Sequence, residues 1–194
     1  MADCVTAYPF PIGAQDAFRA PMDRLAEMRY NGIIIHEKLL AGEAAAMKRI
    51  GLLHHPKLPQ TQSLAETMAR ESAAYGLTAW IGSTWDEVSV RAEIPNLDLL
   101  VTLGGDGSIL RAARMACEQG VPVLGVNMGR LGFLAELDPH EWATALPRLA
   151  TGDYWLEERM MLYAEYHRGV ECRVYEALND VVVSRVSLPR IVRL

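Results

Sequence analysis

Cysteine is scarce: the 194 residues contain three, Cys4, Cys117 and Cys172, odd in number and far apart. That count excludes a disulfide framework. The absence of any Cys-x-x-Cys removes the usual zinc-ligand pair, and both features fit a reducing cytoplasm. The five histidines show no metal-ligand spacing. No apolar run approaches the ~20 residues needed to span a bilayer, and Asp3 stands where a secretory signal would carry Lys or Arg, so a cytoplasmic protein without membrane attachment is expected. Positive charge is also in short supply. The net charge is −5 with no compensating basic stripe, which argues against a nucleic-acid partner. Internal repeats and low-complexity segments are missing, and so are both common nucleotide fingerprints, Gly-x-x-x-x-Gly-Lys-Ser/Thr and Gly-x-Gly-x-x-Gly. Hydrophobic residues are plentiful at 51%, enough for a substantial core, and the length suits one domain plus part of another.

The chain is organised around residues 99–111, LLVTLGGDGSILR. They read as a buried strand, a tight turn of Gly104, Gly105 and Gly107 around one carboxylate, Asp106, and the start of a helix. Three glycines in four positions let a ligand approach the backbone and permit positive φ, so that successive N–H groups can converge on an anion. The helix adds its positive end. A carboxylate repels bare phosphate. Asp106 therefore suits a hydroxyl proton, or a divalent cation travelling with phosphates, and the combination points to phosphoryl transfer to a hydroxyl. The plainer alternative is a structural glycine turn between strand and helix.

Along the chain, residues 1–46 differ from the rest: 8–13 form a loop-like run and 32–36 a short strand without an evident partner. Met47 with Lys48 and Arg49 leads straight into an apolar strand, 50–54, and two readings stand: Met47 as the native start with 1–46 as upstream sequence, or a genuine extension that docks on the domain. From there strands and helices alternate over 47–152, predicting a parallel sheet with right-handed crossovers. Residues 56–62 read as loop; Ser63 and Glu66 make a capping box for a helix with Leu64, Met68 and Tyr75 on one stripe, ended by Gly76. A strand at 78–81 and a short helix around 85–91 precede the central strand, 99–103. Its helix has an apolar face of Ile109, Leu110, Ala113, Ala116 and Cys117, and Gly120 stops it. A further strand, 121–127, delivers Asn127 into a second glycine-bearing loop, 127–136, in which Arg130 is either a phosphate contact or a solvated surface charge, and Phe133 and Leu134 are core residues. Asp138, Pro139 and Glu141 open the next helix, with Trp142, Ala145, Leu146 and Leu149 buried and Gly152 as its stop. From 153 to 194 the pattern turns to antiparallel β, with Leu162, Ala164 and Tyr166, then Val170, Cys172 and Val174, alternating about a turn at Arg168 and Gly169. Asn179 and Asp180, before the apolar 181–183, are either a turn or a grip on sugar hydroxyls. His54 and His55 end a strand at the same edge as Asp106 and read as a loop feature.

Four pieces stand in one order: LGGDGS at 103–108, GVNMGRLGFL at 125–134, ERMML at 158–162 and ALND at 177–180. Together they resemble the NAD kinase family, whose members phosphorylate the 2′-hydroxyl of the adenosine ribose of NAD; the resemblance covers about residues 48–194. It implies a Rossmann-like parallel-sheet α/β domain followed by the beginning of an antiparallel all-β NAD-binding domain. It implies ATP and NAD as the nucleotides, Mg2+ travelling with ATP, a cytoplasmic location, and a homodimer or homotetramer for a full-length member. Asp106 matches the family's catalytic proton acceptor. The Gly104, Gly105 and Gly107 turn matches the phosphate approach, with Gly107 contacting NAD, and Asn179, Asp180, Arg111 and Arg190 match nucleotide-contacting positions; Asn127, by its own amide chemistry, can donate and accept hydrogen bonds at a substrate. The family's Gly-Ser-Thr-Ala-Tyr type stretch is absent, so the expectation is a truncated β domain ending at Leu194. The alternatives are another kinase sharing GGDG, of the diacylglycerol or sphingosine type or phosphofructokinase-like, and a nucleotide-binding fragment without turnover.

Overall fold

The computed structural model describes residues 4–9, 29–34, 46–129, 134–168, 170–178, 184–185 and 188–191. The strands are β1 (Cys4–Pro9), β2 (Arg29–Ile34), β3 (Arg49–His54), β4 (Thr78–Ser83), β5 (Leu99–Gly104), β6 (Val123–Asn127), β7 (Trp155–Met160), β8 (Leu162–Arg168), β9 (Glu171–Ala177), β10 (Ser184–Arg185) and β11 (Leu188–Ile191). The helices are α1 (Pro59–Ala73), α2 (Glu87–Glu93), α3 (Asp106–Ala116) and α4 (Trp142–Thr151). Contacts divide the chain into two compact units, Arg29–Arg159 and the paired segments Met1–Met28 and Met160–Leu194.

The larger unit is α/β. Its sheet runs β4-β3-β5-β6-β2-β7, and β4, β3, β5 and β6 are mutually parallel in continuous register. The apolar runs read as strands are buried along their length: every residue of β5 is buried, as are 50–53 of β3 and 123–126 of β6. On one face Leu99, Val101, Leu103, Leu124 and Val126 pack with Ala65 and Met68 of α1 and Trp142, Ala145, Leu146 and Leu149 of α4. On the other face α3 packs against β5 and β6, with α2 beside it. The Asp98 carboxylate accepts the N–H groups of Lys48 and Arg49, both at 2.8 Å, and so fastens the start of β3 to the start of β5. The segment read as an unpartnered strand at 32–36 is β2, which pairs parallel to β6 through Gly32 and Val123.

Several local readings are corrected. α1 begins at Pro59, so the predicted 56–62 loop supplies its first turn and the Ser63–Glu66 capping box is absent. Pro59 is pre-shaped for the first helical position, and the Thr61 hydroxyl bonds back to the carbonyls of Leu58 (2.6 Å) and His55 (3.1 Å). The buried stripe is Thr61, Ala65, Met68 and Ser72, while Tyr75 lies beyond the helix and is half exposed. The second short helix starts later than predicted, at Glu87. Asp86 caps it by accepting from Ser89, and those bonds hold the Asp86 carboxyl below its ordinary range. α3 buries Ala112 and Met115 besides the predicted face, whereas Leu110 is only half-buried. Gly120 and Gly152 do stop their helices, both at positive φ.

In the other unit β1, β8 and β9 form an antiparallel sheet, and β10 pairs with β11. Residues 155–160, read as part of the antiparallel stretch from 153, are instead a strand of the large sheet. Ala164 is buried. Val170, Cys172 and Val174 are exposed, contrary to the alternating pattern, because nothing described covers the β9 side of the ladder.

Candidate functional site

The strand order places a switch in the winding between β3 and β5. β3 feeds α1 and then β4 on one side; β5 feeds α3 and then β6 on the other, with α1 and α3 on opposite faces of the sheet. Loops that leave adjacent strands in opposite directions open a crevice at the strands' carboxyl ends, which is where open α/β sheets bind ligands. Gly104 ends β5 at that point.

From Gly104 the chain turns directly into α3. Gly105 is the residue flanking the helix, with φ −103° and ψ −173°, and Asp106 and Gly107 are already helical. The expectation that these glycines would adopt positive φ is therefore corrected: among the described glycines only Gly76, Gly120 and Gly152 do so. The glycines serve space instead. A Cβ on Gly104 would strike the Ser108 side chain, so its absence lets the strand bend tightly into the helix. At Gly105 and Gly107 an added Cβ would meet nothing within 4 Å, and both positions are exposed. A ligand can thus lie against the backbone of the first turn, at the positive end of the helix dipole.

Asp106 is half-buried, and its Oδ1 accepts the backbone N–H of Leu134 at 3.2 Å. Leu134 lies in the second glycine-bearing loop, which leaves β6 and returns to it. Met128 N–H donates to the Gly104 carbonyl (3.0 Å), Asn127 N–H to Leu137 (2.8 Å), and the N–H groups of Glu136 and Leu137 to Gly125 (3.0 and 3.2 Å). Asn127 is half-buried at the end of β6, and its Oδ1 accepts the N–H of Gly129 at 3.1 Å, holding the start of the loop. A cleft of about 360 Å³ opens beside it, lined by Asn127, Gly129, Ala135, Glu136, Leu137, Asp138 and Glu141. Three carboxylates line that cleft, so it is a poor seat for a phosphate and a better one for amide- or hydroxyl-bearing groups. Asp106 does not line it.

The structure thus brings Gly104, Gly105, Asp106, Gly107 and Asn127 to one edge of one unit. Arg111 is exposed on α3 and within electrostatic reach of Glu87: the Glu87 carboxyl is held below its ordinary value chiefly by its hydrogen bond from Arg91, with Arg114 and Arg111 adding smaller attractions. Arg190 falls in β11 of the other unit, and its side chain lies outside the described residues, as do Asn179, Asp180, Arg130 and Phe133. Leu134, read as core, is half-buried. His55 does behave as a loop feature: its N–H donates to Thr61 Oγ1, its Nδ1 accepts from Lys57 N–H, and its ring meets that of Trp85 edge-on at 5.7 Å. Among the described residues no cluster of three or more His, Cys, Asp or Glu is placed to hold a metal ion.

Two participants escaped the sequence reading. The Leu134 amide carries no signal in its side chain. Gly125 carried one: a glycine inside a buried strand marks a close backbone approach. An added Cβ there would lie 2.9 Å from Ile109 Cγ1 and 3.2 Å from Ala135 Cα, so the missing side chain lets the returning loop lie on β6.

Comparison with known proteins agrees with this architecture. The family model for the ATP-NAD kinase N-terminal domain matches residues 43–154. An NAD kinase of Dehalococcoides mccartyi is 35% identical over 147 residues, 75% of this chain and 52% of that protein. One of Heliobacterium modesticaldum is 51% identical over 105 residues, 54% of this chain and 37% of that protein. One of Geotalea daltonii is 38% identical over 156 residues, 76% of this chain and 55% of that protein. The chain spans about half the length of the Dehalococcoides and Geotalea relatives. No described helix is long and apolar enough to cross a membrane. The match over residues 43–154, borne on the parallel sheet whose central strand leads into Gly104 and Asp106, establishes that this chain belongs to the ATP-NAD kinase family.

Proposed function

We propose that this chain provides the catalytic α/β portion of an NAD kinase, transferring the γ-phosphoryl group of ATP to the 2′-hydroxyl of the adenosine ribose of NAD to give NADP and ADP. The observation that carries the reading is the placement of Asp106: a half-buried carboxylate on the first turn of α3, at the carboxyl edge of β5, between two glycines with open space above them.

The chemistry needs little covalent help from the protein, because the transition state is loose and the work lies in alignment and charge. Asp106 accepts the ribose 2′-hydroxyl proton as that O–H bond breaks; the oxygen bonds to the γ-phosphorus, the bond from γ-phosphorus to the bridging oxygen breaks, and ADP leaves with that oxygen. Gly104, Gly105 and Gly107 admit the phosphates to the backbone at the start of α3. Asn127, Arg111, Asn179, Asp180 and Arg190 are the nucleotide-contacting residues in this reading. Mg2+ enters as part of the ATP substrate, held mainly by phosphate oxygens and water, which accords with a site offering one carboxylate at the glycine turn. A cytoplasmic setting and assembly as a homodimer or homotetramer complete the proposal. Residues 47–152 act as the nucleotide-binding domain, 153–194 as the start of the NAD-binding β domain, and 1–46 as an extension or an upstream translated segment.

The test is NADP formation from NAD and Mg·ATP by the chain and by Asp106→Asn, which keeps size and removes the proton acceptor. The expected result is a kcat lower by about 10²–10⁴-fold with a much smaller change in KM for NAD. Normal turnover by Asp106→Asn, or phosphorylation of a lipid or sugar in place of NAD, would overturn the reading.

A further inference from the structure

A backbone N–H of the segment that follows β6 donates to Asp106. Leu134 N–H reaches Oδ1 of Asp106 across 28 positions of sequence, and the loop that carries it is fastened at both stems. Its outgoing stem is held by Met128 N–H on the Gly104 carbonyl, two residues before Asp106; its returning stem is held by Glu136 and Leu137 on the Gly125 carbonyl. The parallel bridge between Val126 and Leu137 adds to that hold. These bonds hold Met128 against the end of β5 and Glu136 and Leu137, two and three residues past Leu134, against β6.

We propose that the Leu134 amide is a positioning group for the reaction. By donating to Oδ1 it sets the rotation of the Asp106 carboxylate, so that the loop and the proton acceptor are oriented as one unit. The inference rests on the reading of Asp106 as proton acceptor and adds to it the group that aims the acceptor. A carboxylate turns about two rotatable bonds, and a charge-assisted bond from a main-chain amide favours one orientation of it. The role belongs to the main chain, so residue 134 can vary in side chain while keeping the function, proline excepted.

Two measurements test it on the whole chain. In amide hydrogen exchange, Asp106→Ala should speed exchange at Leu134 by about tenfold or more while Val126, in the buried strand β6, stays as protected as before. Unchanged exchange at Leu134 would overturn the proposal, whatever the activity. In turnover, Leu134→Pro removes the donor and Leu134→Ala keeps it. Leu134→Pro should lose about 100-fold in kcat with little change in KM for NAD, the scale on which small misplacements act, while Leu134→Ala recovers most of that loss. Equal turnover in the two variants would overturn the positioning role even if the exchange result showed the bond. An inability of the unmodified chain to make NADP would instead count against the parent reading of Asp106, and the exchange result would still report on the bond by itself.

Discussion

β5 is paired on both sides, with β3 and β6, and β9 is paired along its length with β8 alone, and the two strands sit in opposite environments. All six residues of β5 are buried, between α1 and α4 on one face and α3 on the other. β9 is hydrogen-bonded to β8 from the Leu162–Ala177 pair to the Arg168–Glu171 pair, but residues 171–175 are all exposed, Val174 and Tyr175 among them. A complete backbone ladder satisfies donors and acceptors and contributes little net free energy. Burial of apolar side chains, at roughly 25 cal/mol per Å², is what stabilises. The strand holding the candidate site is thus the better anchored of the two, as a precisely placed carboxylate requires.

Three substitutions would break or sharpen that contrast. The largest effect belongs to Leu100→Ala in β5: Leu100 is fully buried, and urea unfolding should show a loss of about 2–5 kcal/mol. A loss below about 1 kcal/mol would mean the site strand is not the rigid element described. Gly125→Ala comes next. The new methyl presses on Ile109 and on the Ala135 backbone, so a cost of about 1–3 kcal/mol is expected. The same change should reduce exchange protection of the Glu136 and Leu137 amides, which donate to the Gly125 carbonyl. The smallest effect belongs to Val174→Ala, where the side chain is 39% exposed and stability should move by less than about 0.5 kcal/mol. A cost matching that of Leu100→Ala would show that β9 is covered in solution and would erase the difference between the two strands.

Much of the α/β unit was legible in residue order. The apolar runs at 50–54 and 99–103 announced buried strands, and Gly76, Gly120 and Gly152 marked helix ends because a positive φ is cheap only without a Cβ. The start of α1 was misplaced because Ser63 and Glu66 imitate a cap, whereas the Thr61 hydroxyl and Pro59 had already begun the helix. Tyr75 fitted the 3.6-residue spacing and still ended exposed, since periodicity says nothing about where a helix stops.

The sequence by itself determined the chemistry on offer at the turn: one carboxylate among glycines, next to a buried strand, in a chain with few cysteines and no basic surface. Its local pattern also fixed that this carboxylate would sit where a strand becomes a helix. Tertiary structure decided the rest. It turned the glycines into open space rather than positive-φ joints, because the helix begins at Asp106 itself. It also brought the Leu134 amide to Asp106, a partner 28 residues away that only the return of a loop onto β6 could supply. A main-chain donor has the same chemistry at every residue but proline, so no reading of side chains could single it out; its place in space is the whole of its signal.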